Sequence, residues 1–341
     1  MESRKKRILE VLFLVLVFGG TMYGVFHDED LGQIFRIIKN VRKIDLLSAL
    51  LCVVAFIWGE SIIIHYLMKT LNIRVGRSVC FLFSSIGFFY SCITPSASGG
   101  QPAQIYYMRR ENIPIPVATM VLIVVTIAYK VVLVIFGIGM LLFGQGFMQR
   151  YLAGILPVFC LGIILNVLCV GFMLMLVYHT TLAGNFLHKG LTIVEKLHFV
   201  HRMERLHERV KSGMEKYQET SVYFKTHYGV LLRVLLLTFL QRIALFLSTY
   251  FVYRSFGLHT FSITTIVLLQ AAISISVDML PLPGGMGISE TLFLNIFAPV
   301  FGTALILPGM VLSRGFSYYT ELFLCAILMI VAHYVLGRKK Q

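Results

Sequence analysis

The chain has 341 residues, of which 57% are hydrophobic and only 13% are charged. This composition lies outside the range of soluble globular domains and is typical of helices packed within a membrane. The net charge of +14 comes from basic residues in loops between apolar stretches, so it does not indicate a nucleic-acid-binding domain. The sequence therefore predicts an all-α integral membrane protein.

Apolar stretches follow one another along the whole chain, and a membrane-spanning helix needs roughly 20 such residues. The first stretch follows a basic segment and has no small-residue cleavage site after it, so we predict a retained helix rather than a signal peptide. Several stretches are too long for one crossing, which predicts about six full spans plus two broken or re-entrant hairpins. The stretches are Ile8–Phe26, Leu46–Leu67, Val79–Met108, Ile113–Phe143, Tyr151–Tyr178, Tyr228–Tyr253, Ser255–Val277 and Met286–Leu336.

The distribution of Lys and Arg predicts the orientation, because cytoplasmic loops of membrane proteins are enriched in both. With both termini cytoplasmic, 20 of these residues lie inside and 6 lie outside. We therefore predict a multi-pass protein of the cell (inner or plasma) membrane. The basic cluster Arg36–Lys43 would lie outside, where it belongs to an amphipathic stretch suited to the membrane surface. A second amphipathic stretch, residues 185–226, is predicted to be a cytoplasmic helix.

Two segments share one design, an apolar half-helix, a turn rich in Pro and Gly, and a second half-helix. Their turns are Pro95–Gln101 and Pro281–Gly287. A broken helix is tolerated within a membrane only where protein or a water-filled cavity satisfies its backbone polar groups, so both tips should line a cavity. The predicted topology gives the hairpins opposite entry sides, as in the inverted repeats of transporters. Two Pro-kinked helices that each cross fully are the alternative.

We accordingly divide a single membrane domain, residues 1–341, into two repeat units, residues 45–143 and 228–337. Ionisable side chains within the spans are costly and usually face a cavity. Cationic side chains there, together with the half-helix N-termini after Gly100 and Gly285, would favour an anionic headgroup. Alternatively, the carboxylates pair with the cations and only hold the bundle together. The candidates for the headgroup cavity are Glu60, Gly99, Gly100, Gln101, Lys130, Arg242, Asp278, Pro281, Gly284, Gly285, Glu290, Arg314, Tyr318 and Glu321.

Three segments resemble the membrane domain of lysylphosphatidylglycerol synthases, the multiple peptide resistance factor or flippase-like family. They are Thr94–Pro114 (TPSASGGQPAQIYYMRRENIP), Pro281–Glu290 (PLPGGMGISE) and Ser313–Leu322 (SRGFSYYTEL). The resemblance implies translocation of aminoacylated phosphatidylglycerol between leaflets, a role in membrane lipid charge and resistance to cationic peptides, and homodimers. The matching motifs carry over Gly99, Gly100, Gln101, Pro281, Gly284, Gly285, Glu290, Arg314 and Glu321. Because the chain ends at Gln341, we expect the membrane domain without the aminoacyltransferase domain of full-length members.

Three functions follow as expectations. The first is a phospholipid translocase that uses Lys130, Arg242 and Arg314. The second is a lipid-modifying enzyme of the phosphatidylglycerol lysyltransferase type, or its membrane subunit, with Glu60, Asp278 or Glu290 as acid or base. The third is a scaffold that recruits a separate synthase through the helix Ile193–Tyr217. No motif predicts a catalytic arrangement, a metal, a cofactor or nucleic acid as partner.

Overall fold

The computed structural model describes residues 31–179, 184 and 203–338, and their secondary structure is helical. The all-α fold class is thus confirmed. The predicted first helix, Ile8–Phe26, and residues 185–202 of the second amphipathic stretch lie outside the described part of the chain. The helices are α1 (Leu31–Lys39), α2 (Lys43–Thr70), α3 (Arg77–Ile93), α4 (Gly100–Arg110), α5 (Ile115–Phe143), α6 (Leu156–Tyr178), α7 (Met203–Thr226), α8 (Tyr228–Ser255), α9 (Ile263–Val277), α10 (Ile288–Phe301), α11 (Ile306–Arg314) and α12 (Glu321–Arg338).

Within the described residues, six helical segments are long and apolar enough to cross a membrane. The number agrees with the predicted six spans, although one of the six is the second half of the second hairpin. The shorter apolar helices α3 and α9 are the first halves of the two hairpins. The six segments are Lys43–Thr70, Ile115–Phe143, Gln145–Tyr178, Tyr228–Ser255, Pro283–Phe301 and Ile306–Val331.

Helices α2 and α8 form a closely packed antiparallel pair. The backbone N–H of Arg42, just before α2, donates to the carbonyl of Ser255 at the end of α8. Midway along the pair, the side chain of Gln241 donates to the Phe56 carbonyl at 3.0 Å. Gly59 permits this approach, because a Cβ there would lie 2.8 Å from Gln241 Cγ. Small residues and interhelical hydrogen bonds are what hold helices together in lipid, where no hydrophobic driving force acts between them.

The same order of elements occurs on each side of this pair: a long helix, a broken hairpin, and a second long segment. The first set is α2, α3–α4 and α5, and the second is α8, α9–α10 and α11–α12. The first helices of the two sets run in opposite directions, as the predicted inverted repeat requires. The second long segments also cross over: α12 packs on α3 of the first hairpin, and α5 packs on α9 of the second. Each hairpin is thus held by the other unit.

Both hairpins break where the sequence predicts. Helix α3 ends at Ile93, a short 3₁₀ turn covers Pro95–Ala97, and α4 begins at Gly100. In the second hairpin, α9 ends at Val277 and a 3₁₀ turn covers Pro283–Gly285 before α10. The two turns lie against each other, so the hairpins meet tip to tip. The physical cause is local, since proline lacks the N–H that the helix ladder needs. In the second turn Gly284 and Gly285 adopt the left-handed conformation that glycine favours, whereas in the first turn Ala97 adopts it.

Helix α7 covers residues 203–226 of the second amphipathic stretch and packs against the end of α6. One face of α7 donates three hydrogen bonds to the last carbonyls of α6: Tyr217 to Leu176, Ser221 to Val177, and Lys225 to Tyr178. The final carbonyls of a helix have no partner within it. Helix α7 therefore caps α6 from outside.

Candidate functional site

A cavity of about 480 Å³ lies beside the two hairpin tips. Its lining comes from α2, α5, α6, α8, both hairpins and the segment Arg314–Glu321. Ten of the fourteen predicted site residues line it: Glu60, Gln101, Lys130, Arg242, Asp278, Gly284, Gly285, Arg314, Tyr318 and Glu321. The fold thus brings together groups that lie far apart in the sequence.

Lys130 of α5 forms an ion pair with Asp278, at the end of α9, and both side chains are 9% exposed. The Tyr129 hydroxyl donates to the same carboxylate, and the Lys130 ammonium also contacts the Met279 sulfur. A charge at this depth is costly unless it is paired and hydrogen-bonded. For Lys130 and Asp278, the arrangement matches the alternative in which the charges hold the bundle together.

Arg314 holds the second hairpin tip. Its Nε donates to Glu290 Oε1 at 2.7 Å, and an Nη donates to the Gly284 carbonyl at 3.0 Å. The other Glu290 oxygen accepts from the Gly287 N–H at 2.7 Å, at the start of α10. The prediction that the helix N-terminus after Gly285 offers free N–H groups is wrong at Gly287, because the Glu290 carboxylate already caps it. The network satisfies backbone groups that the broken helix exposes.

Arg242 of α8 differs from the other two cations. Its guanidinium carbon lies 3.7 Å from the ring centroid of Tyr129 and 4.9 Å from that of Phe56. Its Nε is buried without a hydrogen-bond partner, and among the described residues the structure shows no ion pair for this side chain. Stacking on aromatic faces holds a guanidinium in place while leaving its edge donors available. Arg242 thus brings donors to the cavity that no described residue uses.

Two carboxylates, those of Glu60 and Glu321, complete the polar wall near Arg242. Both interact electrostatically with this guanidinium. Glu60 Oε1 accepts a hydrogen bond from Gln104 Nε2 at 2.9 Å, and Glu321 is 7% exposed. The wall therefore places one cation without an ion pair beside two carboxylates. Within residues 31–179 and 203–338, no three His, Cys, Asp or Glu side chains come together as a metal site.

Tyr318 joins the two hairpins directly. Its hydroxyl donates to the Cys92 carbonyl of α3 at 2.9 Å, and its ring lies against Gly284 of the other tip. The Arg314 guanidinium carbon is 4.8 Å from the same ring centroid. Tyr318 thus ties the first hairpin to the second unit, as Lys130 ties the second hairpin to the first unit.

Replacing Gly284 with alanine is expected to separate the tips and to lower the unfolding free energy by about 3 kcal/mol. Gly284 has φ +56°, and a Cβ there would lie 2.0 Å from Tyr318 Cε2. The left-handed backbone and the overpacking each cost about 1–2 kcal/mol. The buried Tyr318 ring cannot swing away without losing its hydrogen bond to Cys92. Denaturant titration in detergent measures the effect.

Gly315→Ala is the matched control, because a Cβ at that helical glycine meets nothing within 4 Å. Equal stability of the two alanine variants would contradict the close contact between Gly284 and Tyr318.

Four predicted site residues lie away from the cavity lining. Gly99 donates its N–H to the Thr94 hydroxyl at 2.9 Å, and Gly100 packs so closely that a Cβ would lie 2.1 Å from Ser91 Oγ. Pro281 is exposed ahead of the turn, and Glu290 is buried behind the tip. Their surroundings are those of residues that shape the hairpins.

Sequence reasoning missed three side chains of the site: Tyr129, Gln104 and Phe56. Tyr129 contacts both Arg242 and Asp278, and Gln104 holds Glu60. The signal for Gln104 was a polar residue in the second half-helix of the first hairpin. Tyr129 and Phe56 gave no signal, because aromatic residues are common throughout these apolar stretches.

Comparison with known proteins places this site within a family. The family model described as the lysylphosphatidylglycerol synthase TM region matches residues 7–325. The chain belongs to this family. The match includes both hairpins and every cavity-lining residue named above. No curated protein sequence matches the chain.

In this member of the lysylphosphatidylglycerol synthase TM family, the segments that carried the predicted resemblance all converge on the cavity. Thr94–Pro114 and Pro281–Glu290 supply the two tips, and Ser313–Leu322 supplies Arg314, Tyr318 and Glu321. The family membership predicted from these motifs is confirmed.

Proposed function

We propose that the protein is a phospholipid translocase whose cavity between the two hairpin tips receives the lipid headgroup. The observation that carries this proposal is Arg242, an immobilised cation with no ion-pair partner among the described residues. A guanidinium binds phosphate through paired, charge-assisted hydrogen bonds. In this proposal the phosphate binds Arg242 while the acyl tails stay in the surrounding lipid.

The neighbouring carboxylates suggest the class of headgroup. Lys130 and Arg314 are already paired with Asp278 and Glu290, so among the described residues Glu60 and Glu321 remain as the cavity carboxyl groups without an ion pair. A headgroup with both a phosphate and an ammonium would match Arg242 and these two carboxylates. Lysylphosphatidylglycerol, which the family description names, has both groups, and so does phosphatidylethanolamine. We therefore propose an amine-bearing phospholipid, and with it a role in membrane lipid charge and resistance to cationic peptides.

The opposite directions of α2 and α8 suggest how the headgroup moves. In transporters built from inverted repeats, two related units rock around a fixed site and open it to each side in turn. Here Lys130–Asp278 and Tyr318–Cys92 each connect the two units at the cavity. We propose that these two contacts break in turn. From the distribution of Lys and Arg, we also propose that the protein lies in the cell membrane with both termini in the cytoplasm.

The competing enzyme hypothesis loses two of the three carboxylates named for it, and Glu60 is the one without an ion pair among the described residues. Asp278 and Glu290 each form an ion pair with a buried cation, and Glu60 accepts from Gln104. The recruitment of a separate synthase and the assembly of a homodimer are also proposals, as is the identity of the lipid.

Reconstitution tests the function. Purified protein in liposomes with a fluorescent phospholipid is expected to expose inner-leaflet label to an external reducing agent, whereas protein-free liposomes expose only outer-leaflet label. Equal reduction in both preparations would overturn the translocase proposal. Faster movement of lysylphosphatidylglycerol and phosphatidylethanolamine than of phosphatidylglycerol is expected, and the reverse order would contradict the headgroup class alone.

A further inference from the structure

A second cavity, of about 310 Å³, lies among α5, α6, α7 and α8. The described residues around it are almost all aliphatic or aromatic. They include Ala128 and Val131 of α5, Leu174 of α6, Phe224 of α7 and Leu235 of α8. A buried water needs two to four polar partners, and these walls offer almost none. The interior is therefore suited to hydrocarbon.

One cation lies at the edge of this cavity. Lys225, in the last turn of α7, donates to the Tyr178 carbonyl at 2.8 Å, and its ammonium lies 5.4 Å from the Tyr178 ring centroid. An ammonium has three donors, and the described residues provide a hydrogen-bond acceptor for one of them. The hydrogen bonds from Tyr217 and Ser221 to the end of α6 hold this edge in place.

An apolar interior with one fixed cation at its edge is complementary to an amphiphile with a hydrocarbon chain and an anionic head. Three of the four helices, α5, α6 and α8, are apolar enough to cross a membrane, so phospholipid is the amphiphile that surrounds them. We propose that this cavity binds one acyl chain of a membrane phospholipid, with the lipid phosphate at Lys225. This cavity is separate from the one between the hairpin tips, so the lipid bound here is not the one whose headgroup enters that cavity.

The position of this cavity suggests what the bound lipid does. Helices α5 and α8 line both cavities: Ala128 and Val131 belong to the second, whereas Tyr129 and Lys130 belong to the first. On α8, Leu235 lines the second cavity and Arg242 lines the first. An acyl chain bound between α5 and α8 would maintain the distance between these helices that places the Arg242 guanidinium on the Tyr129 ring.

Photo-cross-linking tests the binding site without depending on lipid translocation. Purified protein is incubated with phosphatidylglycerol that carries a diazirine on one acyl chain, and adducts are mapped by mass spectrometry. We expect adducts on the peptides of α5 and α8 that line the second cavity. Ala128→Phe is expected to lower their yield about tenfold, the effect of about two methylene groups excluded from an apolar site. Ile135→Phe is the control, because Ile135 is exposed on the same helix.

The headgroup contact needs a second pair of variants. Lys225→Ala is expected to lower the adduct yield about fivefold, and Lys225→Arg is expected to keep it near the wild-type value. Lys216→Ala, an exposed position on the same helix, controls for loss of surface charge. Adduct yields that are the same in Ala128→Phe and wild-type protein would overturn the proposal. Labelling of these peptides by diazirine palmitate but not by the phospholipid would overturn it as well.

Discussion

Arg242→Ala is expected to lower the rate of phospholipid translocation by about 10- to 100-fold. A charge-assisted hydrogen bond contributes about 1.5–3 kcal/mol, and each 1.4 kcal/mol corresponds to a factor of ten. Arg242 supplies the only cation in the cavity that has no ion-pair partner among the described residues. The measurement is the rate at which inner-leaflet fluorescent lipid becomes accessible in proteoliposomes.

Two further variants separate the charge from the packing of Arg242. Arg242→Lys is expected to recover only part of the rate, because an ammonium cannot form the paired contacts of a guanidinium. Arg242→Met keeps hydrophobic contact with Phe56 and Tyr129 but removes the charge, and it should be as slow as the alanine variant. Arg233→Ala, at an exposed position on the same helix, should translocate at the wild-type rate. Wild-type rates for Arg242→Met would show that the guanidinium does not bind the headgroup.

Arg314→Ala is expected to have the largest effect on stability, lowering the unfolding free energy by about 3–5 kcal/mol. Removal of one partner from a buried ion pair leaves the other charge uncompensated. Glu290 is 3% exposed at its side chain, and the Gly284 carbonyl would also lose its donor. Denaturant titration of the purified protein in detergent measures the loss, with Arg233→Ala as the control for removal of an exposed arginine.

A double variant distinguishes the ion pair from general damage to the tip. Arg314→Met combined with Glu290→Leu removes both charges, so it is expected to be more stable than Arg314→Ala alone. If the double variant loses as much stability as the sum of the two single variants, the contact between Arg314 and Glu290 is not the cause.

The hairpins were predictable because their causes are local. Pro95, Pro281 and the glycine pairs interrupt apolar runs, and helix breaking by these residue types needs no knowledge of the fold. The expectation of a cavity followed from the same feature, since broken backbone within a membrane needs polar partners. The helix boundaries α3–α4 and α9–α10 bear out this local prediction.

The roles of the individual charges were not predictable in the same way. Lys130 and Asp278 are 148 residues apart, and Arg314 and Glu290 are 24 apart, so neither ion pair follows from a helical spacing. Pro281 stood out in the sequence as a helix breaker, yet the structure places it on the exposed side of the turn. Tyr129 had no distinguishing pattern, although it contacts two charged residues of the site.

By itself, the sequence determined the membrane environment, the two breaks and the set of charged residues that lie within apolar helices, because each of these depends on composition or on local backbone chemistry. Only the tertiary structure decided which charges neutralise one another and which cation is left for a ligand. The reason is physical: the free energy of a charge within a membrane depends on the groups within a few ångströms of it. The crossing of α5 and α12 between the two units brings those groups together.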